Sequence, residues 1–260
     1  MHLIKTTLQF QLEKIKTNFL AFLLIAATAI ITVYIGYLHH TIKQSIAYLA
    51  AMWLCSFFID FFAIIKPATN DFVVSNPKRE TTLFFICFLL GTTFFLIRFS
   101  GMVDWDHLNR FVKLAAIPLM LFVYPIALAS IMFLLKYKPS DLGLRFQGLM
   151  IIVPVVAISV IVNRFFCPTS LTLNTIFTES GGIIGTLYTG FILAGLSEEF
   201  FRVIGQTRLG ALINNKGIAW FVITVLWACM HIPKWYNDQH NITEAVLGAV
   251  RIIPDRKSVV

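Results

Sequence analysis

The sequence predicts an all-α fold, a polytopic transmembrane bundle of seven to eight helices, on three observations. Of the 260 residues, 58% are hydrophobic and only 13% charged, roughly half the charged fraction of a soluble domain. Apolar stretches of about 20 residues recur along the chain, each long enough to cross a hydrocarbon layer of roughly 30 Å. Mean hydropathy is +0.79, which leaves little chain for any domain outside the lipid.

Taken in order, residues 1–17 alternate basic and apolar positions (Leu8, Phe10, Leu12 and Ile15 among Lys5, Lys14 and Lys16), the pattern of an interfacial helix feeding the first span. The apolar run behind it is too long for a signal-peptide core and lacks a small-residue cleavage site, so it reads as a retained first helix. Spans are expected at 18–38, 45–65, 81–97, 114–135, 149–166, 183–212 and 217–232, with an eighth beginning near Glu244. The polar segment 102–113 reads as an interfacial turn. Lys136 to Gln147, with Pro139 and Gly143, reads as a linker between a divergent N-terminal part, 1–135, and a core, 136–254.

The net charge of +8 does not indicate nucleic acid, because Lys and Arg are scattered between apolar runs instead of forming a stripe. Assigning connections to alternate sides gives eleven Lys and Arg on the N-terminal side and six on the other, so the N-terminus is expected in the cytoplasm. The short loops suit a bacterial plasma membrane. Cys55, Cys87, Cys167 and Cys229 are far apart with no CxxC, so neither disulfides nor a four-thiolate zinc site is expected.

Ionisable residues inside spans are costly and mark candidate chemistry. Asp60 lies near one end of its helix, within reach of Lys66 or water, and reads as structural. Glu198 and Glu199 stand between Phe191-Ile192-Leu193-Ala194-Gly195-Leu196 and Phe200-Phe201. On an α-helix such neighbours point about 100° apart, so they take different roles, and Arg202 is within reach of either. The turn Asn214-Asn215-Lys216-Gly217 centres at residue 215, 16 positions from both Glu199 and His231. An antiparallel hairpin would therefore hold them at one depth. Carboxylates and imidazole at one depth suit a zinc site or an acid/base set, whereas a neutralised Glu/Arg cluster holding helices together is the structural alternative. HExxH is absent, and Ser197 lacks a GxSxG context and reads as packing.

Ser197-Glu198-Glu199-Phe200-Phe201-Arg202 resembles the membrane-embedded EExxxR motif of the CAAX proteases and bacteriocin-processing enzymes, the CPBP or Abi group of intramembrane metalloproteases. Trp227-Ala228-Cys229-Met230-His231 resembles its FxxxH motif with Trp for Phe, and Asp141-Leu142-Gly143-Leu144-Arg145 resembles a short LGLR segment common in the group. Arg202 comes one residue early, giving EExxR, so the Glu pair is carried over jointly. The resemblance covers about 136–254. It implies a metal-dependent endopeptidase acting on a peptide or protein near or within the membrane, with membrane lipid as its other partner. His231 would help hold zinc or another divalent metal, one of Glu198 and Glu199 would activate water, and Arg202 would fix the other carboxylate or counter charge.

Two rival readings are a carrier using Glu198, Glu199, Arg202 and His231 as a buried relay, and a non-catalytic immunity or scaffold protein of the same fold. The related halves that many carriers show are not visible in this sequence. The group's third motif, a further His with Asn or a similar residue four positions on, has no counterpart before Val260. The chain is therefore expected to be C-terminally truncated and inactive as written. Residues 255–260 are expected to be a non-native tail, since they back-translate into the start of a common sequencing adapter.

Overall fold

The computed structural model describes residues 2–65, 72–99, 133–138, 182–187 and 200–253, with isolated positions 107, 109, 141, 154, 157, 158 and 161. Among the described residues every regular element is helical. Three stretches there, Phe19–Leu38, Ile42–Ile65 and Lys216–Asn237, are long and apolar enough to cross a membrane. The spans expected at 114–135 and 149–166, the turn at 102–113 and most of the LGLR-like segment lie largely outside the described residues, and the tail 255–260 lies wholly outside them. The chain divides into two compact units. Met1–Asp71, Leu144–Ser170 and Val250–Val260 form the first, and Phe72–Gly143 and Leu171–Ala249 the second.

In the first unit, α1 (His2–Thr17) leads into α2 (Phe19–Leu38), which turns back as α3 (Ile42–Ile65). Leu3, Ile4, Leu8 and Leu12 of α1 are exposed, as a helix lying in a membrane interface requires. α2 is built inside out. Its buried positions include Ala21, Thr28, Thr32 and Gly36, while Phe19, Leu20, Leu23, Ile30 and Tyr34 are exposed. Apolar bulk facing lipid costs nothing, whereas small residues let backbones approach closely. At Gly36 a Cβ would run into the Ser45 hydroxyl of α3. The turn between them has His40 at φ 56° and Thr41 donating its N–H to the Gly36 carbonyl at 2.6 Å.

Asp60 of α3 is buried, and its partners come from α1. Lys14 Nζ donates to Oδ1 at 2.8 Å and Gln11 Nε2 to Oδ2 at 3.0 Å. Lys66, expected within reach of Asp60, lies outside the described residues; the pairing seen ties α1 to the end of α3. Sequence distance concealed it, because α1 folds back beside α3 only through the α2–α3 hairpin.

The second unit begins with α4 (Pro77–Phe99). Pro77 suits the first helical position, where no backbone N–H is needed, and Asn76 Oδ1 accepts from the Arg79 N–H at 3.0 Å as an N-cap. A short α5 (Gly182–Leu187) follows among the described residues. Next come a π-helical turn over Phe200–Gln206, α6 (Thr207–Ile213), α7 (Lys216–Cys229), α8 (Ile232–Gln239) and α9 (Ile242–Ile252). One continuous helix was expected over 183–212, but residues 200–206 are π-helical. The polar turn expected at 214–217 is present: Asn214 ends α6 in the left-handed region at φ 52°, and Asn215 Oδ1 accepts from the Ile218 N–H at 2.9 Å to cap α7. The core is aromatic. Phe84 of α4 stacks on Phe200 at 4.9 Å and meets Phe201 edge-on at 6.0 Å, while Phe88 meets Phe201 at 5.8 Å.

Replacing Lys14 by Met should destabilise the first unit by about 1–2 kcal/mol, less than for a fully buried pair because the Lys14 side chain is 32% exposed against 8% for Asp60. The double variant Lys14→Met, Asp60→Leu should recover most of that loss, since removing both charges leaves no orphan. Thermal unfolding in detergent checks this, and additive losses in the double variant would contradict it.

Candidate active site

Of the four residues singled out from the sequence, the structure positions one side chain. Glu198 and Glu199 lie outside the described residues, as does Ser197. The backbone of Arg202 is placed within the π-helical turn. In that turn the hydrogen bonds run i→i+5, so the α-helical arithmetic that put Arg202 within reach of either carboxylate does not hold from Phe200 onward. Equal residue counts on the two sides of the Asn214–Asn215 turn likewise do not translate directly into equal depth.

His231 was expected within the helix after the turn, and it stands at that helix's end, between α7 and α8. The cause is Pro233, which has no N–H to offer the Cys229 carbonyl. The chain tightens there: the His231 N–H bonds to the Ala228 carbonyl at 3.0 Å, and the His231 carbonyl accepts from Trp235 at 3.1 Å to start α8. At 1.5 Å per residue, His231 lies about 22 Å along the helix axis from Lys216.

The imidazole is half-buried between two indoles, with ring centroids 4.4 Å from Trp227 and 5.5 Å from Trp235. Its Nδ1 is 2.9 Å from the Trp227 carbonyl oxygen. A carbonyl can only accept, so Nδ1 carries a proton, and in the neutral ring the lone pair is on Nε2. Metal-binding histidines are held in this way, with one ring nitrogen donating to a backbone carbonyl while the other ligates. The chemistry of this donor therefore fits a divalent metal. Among the described residues no group of three or more His, Cys, Asp or Glu comes together. α7 packs along the π-helical turn, so the helix leading into His231 lies beside the segment that follows Glu199.

A second polar centre was missed from the sequence. Arg208 of α6 and Glu80 of α4 are 0% and 1% exposed, and Arg208 Nε donates to Glu80 Oε2 at 3.1 Å. Glu80 Oε1 accepts from the Tyr137 hydroxyl at 2.6 Å and from the backbone N–H groups of Ser75 and Asn76 at 3.0 and 2.7 Å. Arg208 also donates to the Thr207 hydroxyl at 2.7 Å and to the Val73 carbonyl at 3.1 Å. Tyr137, in the stretch read as a linker, lies 5.4 Å from the guanidinium. The available signal was that Glu80 opens an apolar run and Arg208 lies only six residues after Arg202. Neither was singled out in the sequence.

Residues 180–252 match the family model of the Rce1-like group, type II CAAX prenyl endopeptidase. This stretch is similar to the CAAX-protease family, and it contains the Glu pair and His231 motifs from which that resemblance was read. It runs from α5 through α9 and holds Glu198, Glu199, Arg202, Arg208 and His231. Neither the curated proteins nor the solved structures contain a match.

The seat of His231 is sensitive to α9. A Cβ at Gly248 would lie 2.9 Å from the Trp235 ring, so Gly248→Val should push that indole off the imidazole. The expected outcome is a loss of about 1–3 kcal/mol in stability from overpacking, together with a change in indole fluorescence where Trp235 meets His231. Unchanged fluorescence and unfolding temperature would show that Trp235 is not held there.

Proposed function

We propose that the protein is a metal-dependent intramembrane endopeptidase that cleaves a membrane-associated peptide or protein, with His231 as one metal ligand and Glu198 and Glu199 as the carboxylates of the reaction. The observation that carries this reading is the Nδ1–H bond from His231 to the Trp227 carbonyl, within the stretch that matches the Rce1-like family. A histidine oriented this way between indoles has lost its rotational freedom before any ligand arrives, and Nε2 keeps the lone pair that ligation needs.

A divalent ion, zinc first among them, would supply Lewis acidity for hydrolysis at neutral pH. The remaining work falls to the chain. One of Glu198 and Glu199 takes the proton from the attacking water, and the other holds its place against Arg202. Trp227 and Trp235 exclude bulk water from one side of the imidazole, which strengthens every electrostatic interaction there. The membrane partner is lipid, and we place the protein in a bacterial plasma membrane with its N-terminus in the cytoplasm.

In the full-length protein, Glu198→Gln, Glu199→Gln and His231→Ala should leave expression largely intact. His231→Ala and Gln at the water-activating position should lower peptide cleavage on the order of 100-fold or more, because each removes a step the chemistry requires while Gln keeps the side-chain shape. Cleavage of a fluorogenic membrane-anchored peptide in detergent or liposomes measures this. Wild-type turnover in both Glu variants would refute the assignment.

A further inference from the structure

We propose that the buried Glu80–Arg208 pair is a positioning device that sets the register of the π-helical turn Phe200–Gln206, which follows Glu198 and Glu199 in the sequence and contains Arg202. The proposal rests on the protease reading for its kinetic consequences only. Arg208 lies two residues beyond the π-helical turn and is joined to α4 and to the segment before it by directed bonds. Nε reaches Glu80 Oε2 at 3.1 Å and Nη2 reaches the Val73 carbonyl at 3.1 Å. Glu80 in turn is fixed by Tyr137, Ser75 and Asn76. Every bond in this set has a defined direction, so neither α4 nor α6 can slide or rotate by one residue without orphaning a buried charge.

A second contact, one turn away, needs the same register. Phe84 of α4 lies over Gly205, where a Cβ would approach its ring to 2.6 Å, and it also stacks on Phe200. Gly205 must face Phe84 for the helices to approach this closely. The ion pair keeps it there. A π-helical turn is less tightly specified by its own hydrogen bonds than an α-helix, so an external clamp at its C-terminal end decides where the residues at its N-terminal end point. Those residues adjoin Glu199. Glu80, Tyr137 and Arg208 thus act on the reaction through the π-helical turn, without touching substrate or metal.

The test uses the full-length protein with Glu80→Gln, Arg208→Lys, Arg208→Gln and the double variant Glu80→Gln, Arg208→Gln. Turnover is counted per folded molecule after size exclusion, alongside amide hydrogen exchange of residues 200–213. Each single variant should lower kcat at least tenfold with KM within threefold, and raise exchange at 200–206 at least tenfold while α2 and α3 stay unchanged. Arg208→Lys should resemble Arg208→Gln, because charge without the planar fork cannot fix direction. The double variant should be no worse than the poorer single, the signature of residues acting as one unit. Wild-type turnover and exchange in Glu80→Gln and Arg208→Lys would overturn the proposal, as would a rise in KM with kcat intact. If the wild-type protein cleaves no peptide, the protease reading falls while the exchange arm still decides the positioning role. Should the charge variants fail to fold, Tyr137→Phe removes a single hydroxyl and is expected to give a smaller change of the same kind. No change in exchange in that variant would overturn the proposal.

Discussion

An ionised side chain packed among apolar helices must find its counter-charge and nearly its full set of hydrogen bonds, and the second unit is organised around one such pair. Glu80 and Arg208 are each almost wholly buried. Leaving either without the other would strand a charge in a low-dielectric setting. Satisfying both brings together the first turn of α4, the loop before it, Tyr137 and α6. It also gathers Lys78, Arg79 and Arg208 at one end of the unit, with Lys216 just beyond α6. The aromatic stack of Phe84, Phe88, Phe200 and Phe201 then fills the space between α4 and the π-helical turn, supplying bulk where the ion pair supplies direction.

The first unit meets the same constraint more cheaply. Asp60 is answered by Lys14 and Gln11 from α1, and Lys14 retains partial access to water. Thr28 and Thr32 return their hydroxyls to carbonyls of their own helix at 2.8 and 2.9 Å, so buried polarity in α2 is satisfied locally. Small side chains inside and large apolar ones outside complete the arrangement, as expected where lipid and not water is the surrounding solvent.

How much of this was legible in the sequence varied with the range of each interaction. α2 and α3 could be read because a long apolar run is a local property, and the Asn214–Asn215 turn because its chemistry lies within four residues. The end of α7 was local too, and the span expected at 217–232 stops at the residue before Pro233. The Glu80–Arg208 pair spans 128 positions, and nothing near either residue announces the other. Tyr137 sat in a stretch whose Pro and Gly suggested only a linker. The π-helical turn is invisible to hydropathy, because widening a helical turn leaves composition unchanged. The Glu pair and His231 were singled out by resemblance more than by physics: adjacent carboxylates in an apolar run demand a partner, but spacing alone does not say which.

At the candidate site the physical content now rests on one half-buried imidazole that donates from Nδ1 to a backbone carbonyl and makes tilted ring contacts with Trp227 and Trp235. The most direct test is the divalent-metal content of purified full-length protein, measured by plasma mass spectrometry after dialysis, for wild type and for His231→Ala. The expected result is about one ion per wild-type chain, as for a catalytic site with three protein ligands, and its loss in the variant. A wild-type protein free of stoichiometric metal, or a His231→Ala variant that retains its full complement, would contradict the assignment of His231 as a metal ligand.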